Sequence, residues 1–129
     1  MNRRNKVARA LATLGSAVLF LSACLHCMAY TKISPGLSAS NLAAPLQAVS
    51  RVAFLAMAWD WIVLGSIVLL AIFAETRLRK AFVLVCGIAV LVETGLTLPF
   101  AGLFIGNELI GTAGLLIFCG GLLLQRADT

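Results

Sequence analysis

Cys24, His26 and Cys27 stand within four consecutive positions, and soft donors at that spacing are suited to a soft metal ion or to a dithiol that cycles with a disulfide. On a helix the two cysteines lie about 60° apart and can cooperate, whereas His26 projects about 160° from Cys24. Chelation by all three requires the helix to end or unwind there. The metal reading therefore takes Cys24 and Cys27 as its capture ligands and His26 as a third. Its structural counterpart is two thiols used as small apolar fillers beside a hydrogen-bonded histidine, the commoner use of these residues. Cys86 and Cys119 have only apolar neighbours in sequence and read as packing residues.

The second set of candidates is acidic. Asp60, Glu93 and Glu108 interrupt otherwise apolar runs, and an ionised carboxylate at membrane mid-depth costs about 2.5–3.5 kcal/mol. Counting along the helices at 1.5 Å per residue puts Asp60 about 8–12 Å and Glu93 about 10 Å below the same membrane face. If the two face one another on neighbouring antiparallel helices, they form an intramembrane site for one shared proton or a cation. The alternative is two separate carboxyl groups, each bonded to a neighbour such as Thr94 or Thr97. Glu108, beside Asn107, falls where a helix begins and is welcomed by the positive end of its dipole.

Other chemistries lack their residues. One histidine in the whole chain cannot ligate a haem from both sides, and there is no H-E-x-x-H, no phosphate-cradling glycine loop and no second outward cysteine pair to pass electrons to. No enzyme and no cofactor are expected.

The elements that must position these groups are apolar stretches, Ala10 to Tyr30, Val52 to Ala74, Ala81 to Gly106 and Phe104 to Leu124, which fill nearly all of the 129 residues. Hydrophobic residues make up 61% and charged residues 12%, against about 45–50% and about 25% in soluble domains. Runs of about 20 apolar residues are stable in hydrocarbon as helices, which bond their own backbone internally. The expected fold is all-α, an up-down bundle of four transmembrane helices over residues 9–30, 51–75, 80–101 and 106–125, in a single domain spanning 1–129.

Charge orients the bundle. Arg3, Arg4, Lys6, Arg9, Arg77, Arg79, Lys80 and Arg126 fall on one side, and only Lys32 and Arg51 on the other. By the positive-inside rule both termini are cytoplasmic, in a cell inner membrane, and the net charge of +5 reflects topology rather than nucleic-acid binding. The outward loop, 31–50, has a Ser34-Pro35-Gly36 turn and then Leu42, Leu46 and Val49 at helical spacing, as in a short interfacial helix that can run on into the second span. Asn107, Gly111, Gly114, Phe118, Gly121 and Gln125 form one stripe of the last helix, and Ala53, Ala56 and Gly65 a similar groove in the second, both suited to close helix packing.

Leu21-Ser22-Ala23-Cys24 resembles the lipobox of bacterial lipoprotein signal peptides, which implies cleavage before a lipidated Cys24; against it, Leu25, Cys27, Met28 and Ala29 continue the apolar run where a polar tether is expected. Residues 24 to 27, with Pro35 downstream, resemble the C-x-x-C region of MerC-type mercuric transport proteins, also four-helix bundles, although the soft ligands needed at the cytoplasmic end are missing. From His26 to Leu124 the pattern is more similar to a loose group of small uncharacterised bacterial four-helix membrane proteins, with a basic central turn and Phe104-Ile105-Gly106 before a glycine-rich last helix. That resemblance implies a fold and a location and no activity. The function expected is interaction or accessory work in the bilayer, as a homo-oligomer or within a larger membrane complex. The alternatives are transport of a soft metal ion or proton-coupled solute through Cys24/Cys27 and Asp60/Glu93, and thiol redox chemistry.

Overall fold

Peptide groups in hydrocarbon have no partner but one another, and the chain answers with helix almost throughout. The computed structural model describes residues 2–74, 77–102 and 104–125. It contains α1 (Arg3–Ser38), α2 (Ala44–Phe73), α3 (Arg79–Ala101) and α4 (Ile105–Leu123). Each is long and apolar enough to cross a membrane.

The first two helices are longer than their apolar runs, and the loop expected over 31–50 shrinks to residues 39–43. Pro35 does not break α1, because it sits in the last turn, where its missing N–H forfeits a single helical bond while its carbonyl still accepts from Ala39 N–H at 3.0 Å. The turn forms instead where Ser40 donates to Leu37 O (2.7 Å) and Gln47 Nε2 donates to Leu42 O (3.0 Å). Pro45 then occupies the first turn of α2, where its fixed φ suits helix initiation. The helix expected to lie at the interface is thus the beginning of α2. With 36 residues, α1 extends about 54 Å, against about 28 Å for the 19 residues of α4. The α1–α2 hairpin therefore overhangs the other pair.

Small residues set how the helices pack. A Cβ added to Gly87 of α3 would come within 2.7 Å of Phe118 N, and one added to Gly120 of α4 within 2.9 Å of Ala8 O in α1. Gly111, Gly114 and Gly121 meet Thr94, Leu91 and Leu84 of α3, so the glycine stripe faces α3 while Gly120 faces α1. Gly65 of α2 receives the Phe20 ring, whereas Ala53 and Ala56, expected to share its groove, are exposed. Leu19, Val68, Ile72, Val83, Val90 and Ile117 are completely buried in the interior. Of the four neighbouring helix pairs, α2 and α3 are in least contact.

Hydroxyls in this apolar setting bond back to their own helix. Ser16, Ser22, Ser66 and Thr94 each donate to the carbonyl four residues earlier, at 2.7–3.0 Å. At one end of the bundle, cationic side chains cover carbonyls of neighbouring helices: Arg9 donates to Ile72 O (3.3 Å), Arg79 to Gln125 O (3.0 Å) and Lys80 to Leu122 O (3.4 Å). Positive charge there offsets the negative ends of α2 and α4.

Candidate functional site

At the opposite end from those cations, α1, α2 and α4 diverge and leave a cavity of about 420 Å³ that also reaches Thr97 of α3. The α3–α4 connection closes one side. Gly102, with φ of 68°, occupies the left-handed region that favours glycine and turns the chain after Pro99. Phe104 and Ile105 then stand exposed at the cavity's edge.

His26 forms one wall. Its ring is stacked on Phe54, with centroids 3.7 Å apart and planes 13° apart, and meets Trp61 edge-on at 5.0 Å. Its Nε2 lies 2.9 Å from Phe54 O. A carbonyl only accepts, so that nitrogen carries the proton and, in the uncharged ring, Nδ1 is left as an acceptor. Among the described residues Nδ1 has no hydrogen-bond partner.

Trp61 is 2% exposed and donates its indole N–H to both carboxyl oxygens of Glu93, each at 3.0 Å. Glu93 thus has its hydrogen bond from α2, but from an indole. Asp60, one residue before Trp61 on the same helix, is exposed. Among the described residues no hydrogen bond joins it to Glu93. Thr97, named above as a carboxyl partner, instead donates one proton toward two acceptors, Thr94 O at 2.9 Å and Asn107 Oδ1 at 3.1 Å. Asn107 is 3% exposed and donates to Gly102 O at 2.9 Å, tying the start of α4 to the turn before it. Glu108 stands exposed in the first turn of α4, where the dipole favours it.

The cysteines lie on another side of α1. Cys24 and Cys27 are free and exposed, while Ser22 and Ala23 are buried and His26 turns inward. The helix runs unbroken through all of them, so His26 stays on a different face from Cys24, as helical geometry requires. Among the described residues no group of three or more His, Cys, Asp or Glu is arranged to hold a metal ion. Cys86 is buried, as a packing residue should be, whereas Cys119 is exposed on the surface of α4.

Trp61 as the partner of Glu93 was not legible in the sequence, where Trp59 and Trp61 both read as markers of the membrane interface. Trp59 fits that role, being 64% exposed. The usable signal was spacing, because residues two apart on a helix project about 160° from one another, so Trp59 and Trp61 cannot both face the bundle.

A second recess of about 440 Å³ lies between α2 and α3, where Leu64, Ile67, Ala71, Phe82, Val85 and Cys86 form an apolar groove. Leu70 and Val85 at its sides are 68% and 63% exposed.

Compared with protein-family models, with curated proteins and with solved structures, the chain matches none, so neither the MerC likeness nor the broader one gains support there. Its helices identify it at a coarser level, as a small multi-pass protein of the lipid bilayer built as a four-helix bundle.

Proposed function

We propose that this chain is a non-catalytic interaction protein of a bacterial inner membrane, folded up-and-down with both termini in the cytoplasm, and that it works by pairing with a second copy of itself along the α2–α3 seam. The carrying observation is that seam. Glycine contacts bring α4 close to both α1 and α3, whereas α2 and α3 leave between them an apolar recess with no charged group among the described residues that line it. Protruding Leu70 and Val85 flank the recess, so one face carries both knob and hole, the self-complementarity that a two-fold interface needs. In a bilayer such pairing draws on close side-chain packing. The non-catalytic reading is supported by His26 and Glu93, whose hydrogen bonds are to groups of the bundle itself. The topology is supported by the gathering of Arg9, Arg79 and Lys80 at one end.

The test is the mass of the protein in lipid nanodiscs. The expected result is a species of twice the 13.6 kDa chain mass, which Val85→Trp, filling the recess, and Leu70→Ala, removing the knob, return to one chain. A monomer at all concentrations overturns the pairing, and a stoichiometric complex with a different protein makes the chain an accessory subunit instead. A fluorescent protein that matures only in the cytoplasm should light up when fused after Thr129; darkness with normal expression inverts the topology.

A further inference from the structure

We propose that the cavity walled by His26, Phe54 and Trp61 is a binding site for an uncharged, ring-bearing lipophile with one hydroxyl group, taken up from the bilayer. This goes beyond self-pairing and uses a different face of the bundle.

Size comes first. A dry apolar cavity of about 150 Å³ is enough to hold benzene, and this one, at about 420 Å³, has room for a fused or linked pair of rings. Its volume also lies within the range of about 300–1,000 Å³ usual for small-molecule sites. Shape comes second. The stacked His26 and Phe54 rings, Trp61 edge-on to His26, and Phe104 all line the space, so aromatic rings make up much of its boundary. Planar walls favour a planar guest.

Charge excludes the commonest membrane components. Among the described residues no Lys, Arg, Asp or Glu lines the cavity, so a phosphate headgroup entering it would lose its water and gain no counter-charge. The polar groups that do line it are few, and the Ser22 and Thr97 hydroxyls among them already give their protons to Val18 O and to Thr94 O and Asn107 Oδ1. With Nε2 committed to Phe54 O, the uncharged His26 ring keeps Nδ1 as a free acceptor. Asn107 uses one amide hydrogen on Gly102 O, and its second makes no bond among the described residues. One acceptor and one donor are the complement of a single hydroxyl, which gives one hydrogen bond and receives another. The indole–carboxyl bond holds Trp61 in place, and the exposed Leu25 and Ile105 at the rim set the mouth of the cavity on the lipid-facing surface of the bundle. A lipid-facing mouth selects ligands that already partition into the membrane.

The test uses 4-hydroxybenzophenone, a photoactivatable pair of rings with one hydroxyl, on the full chain in nanodiscs, with benzophenone as the partner lacking the hydroxyl. The expected result is saturable labelling of peptides carrying Leu25, Met57 and Leu109, at least tenfold above that by benzophenone and competed by unlabelled 2-naphthol. His26→Phe keeps a flat ring but removes the acceptor, and should cut labelling about tenfold. Leu25→Trp narrows the rim without touching a polar group and should cut it similarly, which keeps the proposal decidable if His26→Phe does not fold. Labelling spread evenly over outward residues such as Val85 and Val92, equal labelling by the two probes, or full labelling of folded His26→Phe would each overturn it.

Discussion

The Trp61 indole nitrogen sits 3.0 Å from both oxygens of Glu93, so α2 and α3, the least closely packed of the four neighbouring helix pairs, are joined by a bifurcated hydrogen bond inside the apolar layer. An interhelical bond in lipid is commonly worth about 1–2 kcal/mol in peptide systems and less in whole proteins. Here it also supplies a half-buried carboxyl with a donor.

Trp61→Phe keeps the ring and loses that donor. It should lower unfolding stability in detergent by about 1–2 kcal/mol. Glu93→Gln, which still offers an oxygen to the indole, should cost less. A double-mutant cycle measures the pair directly, and additive losses would mean that the bond contributes nothing.

Asp60→Asn should leave stability unchanged, because Asp60 is exposed and bonds to no described residue. The same thermal or denaturant unfolding assay reads this out. A loss comparable with that of Trp61→Phe would show that the two acids work as one unit.

Gly87→Ala is expected to destabilise the bundle by about 1–3 kcal/mol, since the new methyl group meets the Phe118 backbone, which cannot rotate aside. Gly120→Ala should behave likewise against Ala8 O. Gly95→Ala is the control: nothing lies within 4 Å of its added Cβ, and removal of a flexible residue from a helix should hold stability level or raise it by up to about 1 kcal/mol. Equal behaviour of all three would deny that backbone proximity sets the packing.

Arg79 is 8% exposed and donates to Gln125 O just beyond the end of α4. Arg79→Met should free that end, at a cost of about 1 kcal/mol, and hydrogen exchange should speed up at residues 122–125 while the middle of α4 stays protected.

Replacing Cys24 and Cys27 together by alanine should alter neither folding nor the sensitivity of cells to soft metals, because both side chains face outward from α1 while His26 turns inward. Loss of metal-dependent uptake at normal expression would reinstate them as ligands.

Much of the architecture is legible in the residues alone. Apolar runs long enough to span hydrocarbon must become helices, since no other local structure pairs every N–H and C=O there. The basic clusters at Arg3–Arg9 and Arg77–Lys80 mark one end of the molecule, and the glycines at 111, 114 and 121 announce a close contact on α4 before its partner is known. Even the 160° between His26 and Cys24 follows from helical pitch, and the unbroken α1 keeps them on different faces. Tertiary structure decided everything that depends on rotation about a helix axis. An apolar run in lipid is nearly as hydrophobic on one side as on another, so its pattern carries little information about which face turns inward. Whether Trp59 or Trp61 enters the core, whether Glu93 meets Asp60 or an indole, and whether Pro35 ends a helix or rides in its last turn are settled by which neighbouring helix supplies a complementary surface. For Glu93 that surface is Trp61, held by packing between residues thirty-two positions apart.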